Sequence, residues 1–256
     1  MVLTIDIGNT NITLGAYENE RLSFISRLAT DSRRTGDQYA VELADILHLN
    51  GKSVGAVKGA IISSVVPLVG SAMKHAIEKL CGITPIAIGP GIRTGLNIRI
   101  DNPAQLGADL VAGAVAAIAK YQLPCIIFDL GTATTISVID EQGAFVGGAI
   151  AAGLGTTLDA LATHTAQLPY IDISAPNKVI GTNTVDCMKS GLVIGAAAML
   201  DGMAARMEHE LGRAATLVAT GGLAGSVTSH CERSIIIDDD LLLDGLYIVY
   251  KKNCVE

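Results

Sequence analysis

Three aspartates in this chain have neighbours that could support chemistry. Asp6 and Asp129 each end an apolar run and precede a glycine-containing polar turn, within "LTIDIGNTNITLGAY" and "CIIFDLGTATTISVID". Each stretch predicts a strand, a tight turn and a returning strand. Asp109 lies in "LGADLVAGAVAA" near the start of a predicted helix, where the helix dipole alone favours a carboxylate by about 0.3–1 kcal/mol. A surface position in a first turn is therefore the alternative to a catalytic role for Asp109.

The first hairpin has the composition of a phosphate site. Backbone N–H groups and Asn or Thr side chains at its tip can donate to anionic oxygens, and Gly8 permits close approach. Asp6 suits Mg²⁺, held directly or through water, because Mg²⁺ favours one or two carboxylates together with phosphate oxygens. An Asx-type turn without a ligand is the alternative for a single hairpin. The candidate nucleotide contacts are Asp6, Ile7, Gly8, Asn9, Thr10, Asn11, Ile12 and Thr13.

The second hairpin repeats the first, since Asp129 and Gly131 lie 123 positions after Asp6 and Gly8 in a chain of 256 residues. This echo predicts two related lobes, residues 1–120 and 121–256, with a nucleotide clamped between them. The first lobe would carry the first phosphate turn and Asp109, and the second lobe the second phosphate turn. A third turn, Thr220-Gly221-Gly222, follows an apolar run. Its glycines predict close approach of a purine or phosphate, or else a plain strand-to-helix turn.

Between the hairpins the periodicity predicts an α/β protein. Helices are predicted at 39–49, 70–82, 104–120, 155–165 and 185–211, strands at 59–66, 85–89 and 215–222, and an irregular stretch at 166–184.

Composition excludes several classes of function. The net charge of −7 and the isoelectric point near 5.2 argue against a nucleic-acid or anionic-membrane partner. The five cysteines have neither zinc-ligand nor disulfide-framework spacing, and Cys125 and Cys187 are expected to be small core residues. Apolar runs such as "LVAGAVAAIA" reach about half of the roughly 20 residues that span a membrane. These features predict a cytoplasmic protein.

The ordered set of motifs resembles the type III pantothenate kinases, within the superfamily that contains acetate and sugar kinases, heat-shock chaperones and actin. "DIGNTN" and "DLGTATT" resemble the family's two phosphate motifs, "ATGG" its adenosine motif and "DNPAQLGAD" its pantothenate motif. The segments "TAQLP" and "GTNTVDCMKSG" are also similar to family segments, so the resemblance runs from end to end.

This resemblance implies two ribonuclease-H-like (actin-like) lobes, a nucleotide cleft between them and a homodimer. It implies an ATP-dependent kinase that converts pantothenate to 4′-phosphopantothenate in coenzyme A synthesis, with Mg²⁺ and K⁺ or NH₄⁺. Asp109 would be the catalytic base, and Asp129 would be the monovalent-cation ligand. The implied ATP contacts of the second half are Gly131, Thr132, Gly221 and Gly222. The implied substrate contacts are Ile100, Gly107, Ala108, Asp109, Leu110 and Thr184. Thr184 has an alternative role as the N-cap of the helix that follows.

Two positions depart from the family pattern, both among the substrate contacts. Leu110 replaces the arginine of the family's Gly-Ala-Asp-Arg motif, and Ile100 stands where the family usually has tyrosine. An arginine can bind a carboxylate such as that of pantothenate through two parallel hydrogen bonds. The departures therefore leave two alternatives open: a kinase for a different small hydroxyl compound, or a non-catalytic nucleotide-binding regulator. Retention of Asp109 favours the enzymes.

Overall fold

The computed structural model describes residues 1–254. Within this range eleven strands form two mixed sheets. The strands are β1 Val2–Ile7, β2 Asn11–Glu18, β3 Arg21–Ala29, β4 Gly59–Ser64, β5 Ile86–Ala87, β6 Asn97–Ile98, β7 Cys125–Leu130, β8 Ala133–Ile139, β9 Ala144–Ala152, β10 Thr216–Thr220 and β11 Ile236–Ile237.

The helices are α1 Gly36–Leu49, α2 Pro67–Cys81, α3 Ala108–Lys120, α4 Leu154–His164, α5 Thr184–Lys189, α6 Gly195–Leu211, α7 Ala224–Thr228 and α8 Leu241–Asn253. A π-helical turn, Ser190–Ile194, joins α5 to α6. The expectation that α3 begins at residue 104 is wrong. Pro103–Gln105 forms a separate 3₁₀ turn, and Leu106 takes an extended conformation that ends it.

The two sheets share one strand order. The first runs β3-β2-β1-β4-β5, and the second runs β9-β8-β7-β10-β11 with β6 added beyond β9. In each sheet the opening hairpin is antiparallel, with Asp6 paired to Thr13 and Asp129 paired to Thr135. The predicted pair of opening hairpins and the α/β fold class are therefore confirmed.

The chain divides into two compact units. The first contains residues 1–96, 102–116 and 241–254, and the second contains residues 97–101 and 117–240. The closing helix α8 therefore groups with the beginning of the chain.

The first unit packs different helices on the two faces of its sheet. On one face Leu3, Ile5 and Ile7 are fully buried in a core with residues of α1 and α2. The alternate residues of β1, including Thr4 and Asp6, point to the other face. On that other face α8 is held against β2: the rings of Tyr17 and Tyr247 stack 4.2 Å apart, and the Tyr17 hydroxyl donates to Asp244 at 2.5 Å.

In the second unit the helical stretch 184–211 packs on the sheet. Its Leu192, Val193 and Leu200 share a buried core with Phe128 and Leu130 of β7. This stretch is long enough to span a membrane. Its most apolar 18 residues have a mean hydropathy of 1.2, and 33% of that segment is buried. Core helices of soluble proteins have the same composition, so the feature is weak support for a membrane span.

The expectation for the two cysteines is half right. Cys125 is buried, and burial raises the pKa of its thiol to about 12. Cys187 is exposed instead, because it lies on the outer side of α5, where its thiol donates to the Gly181 carbonyl.

Candidate active site

The tip of the first hairpin is a braced turn with exposed donors. The Gly8 N–H donates to the Asn11 carbonyl at 3.0 Å, and Thr30, just after β3, binds the turn twice. Its hydroxyl donates to the Gly8 carbonyl at 2.7 Å, and its N–H donates to the Thr10 carbonyl at 2.9 Å. The side chains of Asn9, Thr10 and Asn11 stay exposed. The turn therefore presents polar groups from a rigid frame, and Thr30 is a supporting residue that sequence reasoning missed.

The remaining candidates of this hairpin differ in what they can offer a ligand. Ile7 and Ile12 are fully buried in the core of the first unit, so they can contribute only backbone atoms. Asp6 and Thr13 are partly exposed neighbours across the hairpin. Their side chains share the face of the sheet opposite that core.

The second hairpin is braced by the start of α4. The Gly131 N–H donates to the Ala133 carbonyl at 3.1 Å, and the Thr132 carbonyl accepts from the Gly153 N–H at 3.1 Å and from the Thr156 hydroxyl at 2.7 Å. Gly131 and Thr132 are themselves exposed. The tip of this hairpin therefore lies at the surface of the second unit, with the Gly131 N–H bonded within the turn.

The third turn lies directly beside this hairpin, because β10 pairs with β7 and places Thr220 opposite Asp129. Gly221 has φ +94°, and a Cβ there would lie 2.7 Å from Asp129 Oδ1 and 2.8 Å from the Leu130 carbonyl oxygen. Both constraints require glycine. A Cβ on Gly222 would meet nothing within 4 Å, so the space beside that residue is open. The structure thus brings together Asp129, Gly131–Thr132 and Gly221–Gly222.

Asp109 lies in the first turn of α3 and is partly exposed. Its Oδ1 accepts a hydrogen bond from the Leu110 N–H at 2.8 Å. A Cβ on Gly107 would lie 2.4 Å from the same oxygen, so the glycine leaves room for the carboxylate. The hydrogen bond from the Leu110 N–H engages Oδ1 and not Oδ2.

Helix α8 positions α3. A Cβ on Gly245 would lie 1.9 Å from the Ala112 carbonyl oxygen, and Gly113 of α3 faces Leu242. The two backbones therefore touch three residues after Asp109. Sequence reasoning missed this support, although the Asp-Gly-Leu-Tyr stretch at 244–247 carries the glycine that permits it.

The other substrate candidates are distributed over both units. Gly107, Ala108 and Leu110 belong to the first unit and Ile100 to the second. Thr184 is exposed and lines an apolar surface pocket of 410 Å³ with residues that include Leu161 and Met188. Its alternative role as helix cap is wrong, because Asn183 caps α5 by accepting the Asp186 N–H at 2.9 Å.

No group of three or more His, Cys, Asp or Glu side chains is placed to hold a metal within residues 1–254. Asp6 and Asp129 are single carboxylates at the ends of β1 and β7, each followed by a turn that displays hydrogen-bond donors. One carboxylate ligand at each turn fits a cation whose other ligands are phosphate oxygens.

Comparison with known proteins decides the family. A model of the type III pantothenate kinase family matches residues 2–206. A type III pantothenate kinase from Halalkalibacterium halodurans is 42% identical over 253 residues, which is 99% of this chain and 100% of the relative. The chain belongs to the type III pantothenate kinase family.

Solved structures show the same fold at greater distance. A putative Baf family transcriptional activator from Campylobacter jejuni has a TM-score of 0.65 and 19% identity, with 98% of each chain covered. A putative 2-dehydro-3-deoxygalactonokinase from Sinorhizobium meliloti has a TM-score of 0.59 and 12% identity, covering 100% of this chain and 98% of the other. This pantothenate kinase family member therefore shares its fold with both of these solved structures.

Proposed function

We propose that this protein transfers the γ-phosphoryl group of ATP to the primary hydroxyl of pantothenate, giving 4′-phosphopantothenate and ADP in the first step of coenzyme A synthesis. Similarity over the full length to curated type III pantothenate kinases carries the proposal. Asp109 supports it, because a protein that only binds nucleotide has no need of a carboxylate base.

In this reaction Asp109 accepts the proton of the acceptor hydroxyl as its oxygen attacks the γ-phosphorus atom. The bond between the γ-phosphorus and the bridging oxygen breaks, and ADP leaves. The hydrogen bond from the Leu110 N–H and the contact of α3 with α8 hold the carboxylate in place. Positioning and electrostatics supply most of the catalysis in phosphoryl transfer.

The two polar turns bind the nucleotide. Asn9, Thr10 and Asn11 donate to phosphate oxygens in the first unit. Thr132 does so in the second, where Gly131 permits the phosphate to approach the backbone closely. Gly221 and Gly222 accept the adenosine, with the open space beside Gly222 available to a flat base.

Two carboxylates hold cations. Asp6 holds Mg²⁺ directly or through water, and Asp129 holds K⁺ or NH₄⁺. These ions offset the charge of the phosphates when they are bound. Both carboxylates are partly exposed.

A different acceptor is the second candidate, and Leu110 favours it. This side chain follows the catalytic carboxylate on α3 and offers no charge to the carboxylate of pantothenate. Ile100 offers no hydroxyl. A neutral alcohol would suit both aliphatic side chains better.

We also propose a cytoplasmic homodimer. Large apolar side chains are exposed on the second unit, among them Ile150, Val179 and Ile180, which are 77%, 65% and 83% exposed. Light scattering coupled to gel filtration tests this assembly: a dimer mass is expected, and a monomer mass at micromolar concentration would contradict it.

The experiment for the reaction measures ADP release from Mg²⁺–ATP with pantothenate and with a panel of neutral and acidic primary alcohols, and it identifies the product by mass spectrometry. A phosphorylated pantothenate is the expected product. Phosphorylation of another alcohol in preference would establish the second candidate, and absence of turnover with nucleotide binding intact would indicate a regulator.

A further inference from the structure

A row of three polar side chains crosses the first sheet at the candidate magnesium ligand. Asp6 on β1 is paired with Thr13 on β2 and with Ser63 on β4. Registered neighbours in a sheet point to the same face, with their Cβ atoms about 5 Å apart. Ser63 therefore stands next to Asp6, on the face opposite the core that Ile5 and Ile7 share with α1 and α2.

Ser63 is the anomalous member of this row. Its side chain is 0% exposed, and its Oγ has no hydrogen-bond partner in the described part of the chain. Neighbouring hydroxyls do have partners: Thr4 donates to the Gly15 carbonyl at 3.3 Å, and Ser64 donates to the Val66 carbonyl at 3.0 Å. An unsatisfied buried hydroxyl destabilises the folded protein, so its presence here needs a reason.

We propose that Ser63 is a positioning residue for Asp6. When Mg²⁺–nucleotide binds, the Ser63 hydroxyl donates to one oxygen of the Asp6 carboxylate, and the other oxygen turns to the ion or its water. Carboxylates that hold metals are themselves hydrogen-bonded as a rule, and loss of such a partner lowers metal affinity or activity about 10–100-fold. The inference rests on the proposed function, because it requires that Asp6 serve a nucleotide-bound cation.

The missing hydrogen-bond partner of the Ser63 hydroxyl distinguishes a positioning role from a structural one. If Ser63 stabilised the fold by itself, its Oγ would have a partner in the ligand-free protein, as Thr4 does. Because it has none, removal of the oxygen is not expected to lower ligand-free stability. The cost should appear only when Asp6 binds its ion.

The test compares Ser63→Ala with the unmodified protein in two measurements. Thermal unfolding without ligand should show an unchanged or higher midpoint for the variant. Calorimetric titration with Mg²⁺ and a non-hydrolysable ATP analogue should show affinity reduced about 10–100-fold. Unchanged affinity would overturn the proposal, and so would a markedly lower ligand-free midpoint, because the hydroxyl would then have a structural partner.

A double-mutant cycle tests whether Ser63 acts through Asp6. In an Asp6→Asn background, Ser63→Ala should change nucleotide affinity less than twofold, because the carboxylate that it positions is gone. A full effect in that background would overturn the proposal. If the unmodified protein does not bind the Mg²⁺–nucleotide at all, the proposed function fails as well. If instead the unmodified protein binds the nucleotide and Ser63→Ala binds it equally well, only the role of Ser63 fails.

Two control substitutions match the chemistry. Thr4→Val removes a buried hydroxyl that has a partner on the same face of β1, and it should lower ligand-free stability without changing nucleotide affinity. Thr134→Val removes another buried hydroxyl without a partner. Thr134 is paired with Leu130, so it points away from the face that carries Asp129. Thr134→Val should lower neither the unfolding midpoint nor the nucleotide affinity. A loss of affinity equal to that of Ser63→Ala would overturn the proposal.

Discussion

Gly245 of α8 lies against the backbone of Ala112 in α3 so closely that a Cβ atom there would be 1.9 Å from the Ala112 carbonyl oxygen. The helix that carries the candidate base is thus held by the last helix of the chain. Because backbone atoms cannot rotate away, any side chain at position 245 must push the two helices apart.

Gly245→Ala is therefore expected to lower the free energy of unfolding by about 1–3 kcal/mol, the usual cost of overpacking. Urea unfolding followed by circular dichroism measures this loss. Gly155→Ala in α4 is the matched control, because its Cβ would meet nothing within 4 Å and alanine should be neutral or slightly stabilising there. Equal stability of the two variants would contradict the close crossing.

The glycine pair after β10 should separate stability from binding. Gly221→Ala should reduce both, since its φ of +94° and the 2.7 Å approach to Asp129 Oδ1 leave no room for a methyl group. Gly222→Ala should keep the unfolding midpoint while weakening adenine nucleotide binding, because its methyl group enters open space beside the proposed site. Thermal shifts with and without Mg²⁺–ATP measure both effects. Full nucleotide response from Gly222→Ala would remove that residue from the site.

Asp109→Asn should lower kcat by about 10²–10⁴ while nucleotide affinity stays within a factor of about two. Asparagine keeps an oxygen to accept from the Leu110 N–H, so the turn of α3 remains intact. Single-turnover assays and nucleotide titration measure the two quantities. An equal loss of ATP binding would identify Asp109 as a structural or metal-binding residue instead.

Leu110→Arg should lower KM for pantothenate at least tenfold, because one charge-assisted hydrogen bond contributes about 1.5–3 kcal/mol. The same change should penalise a neutral acceptor. Ala104→Arg, on the exposed 3₁₀ turn before α3, controls for a general increase in positive charge. A micromolar pantothenate KM in the unmodified protein would contradict the idea. Another cation, such as Arg93 or Arg99, would then have to bind the substrate carboxylate.

Stability in acid should depend on Glu208 of α6. Hydrogen bonds from Arg233 at 2.8 and 2.9 Å hold the pKa of the Glu208 carboxyl below its usual range, and the Ala215 N–H contributes at 2.9 Å. A depressed pKa in the folded state adds stability above the unfolded pKa of about 4.3, and this stability is lost as pH falls through the folded value.

Glu208→Gln should accordingly cost about 1 kcal/mol at pH 7, since Arg233 is partly exposed. The difference from the unmodified protein should shrink below about pH 4. Urea unfolding at both pH values measures it. Glu210→Gln, an exposed position on the same helix, should show neither effect, and a difference for Glu208→Gln that did not vary with pH would refute the ionic origin.

The sequence predicts those elements of the fold that depend on a short stretch of neighbouring residues. Alternation around Gly8 and Gly131 predicted both hairpins, because a tight turn and two flanking strands are encoded within about 15 residues. The predicted start of α3 is wrong because Pro103 begins a separate 3₁₀ turn, and the helix itself begins only at Ala108. Asn183, rather than Thr184, caps α5 because both residues can cap a helix and only the backbone geometry chooses between them.

Properties that depend on distant segments could not be predicted in the same way. The need for glycine at 245 arises from a helix that lies more than 130 positions away in the chain, and the burial of Ser63 depends on the packing of the sheet around it. Cys187 lies in a stretch of mixed polarity, where composition did not reveal which side of α5 faces solvent. Contacts of this kind become visible only in three dimensions.

The grouping of α8 with the first unit has a consequence for biosynthesis. During translation the ribosome makes residues 117–254 after the part of α3 that belongs to the first unit has been synthesised, which takes between about 7 and 28 seconds at 5–20 residues per second. Throughout that interval the nascent first unit lacks the helix that packs against Tyr17 and Ala112. The face of β1 and β4 that carries Thr4 and Ile61, both fully buried in the folded protein, would meanwhile remain open to water and to chaperones.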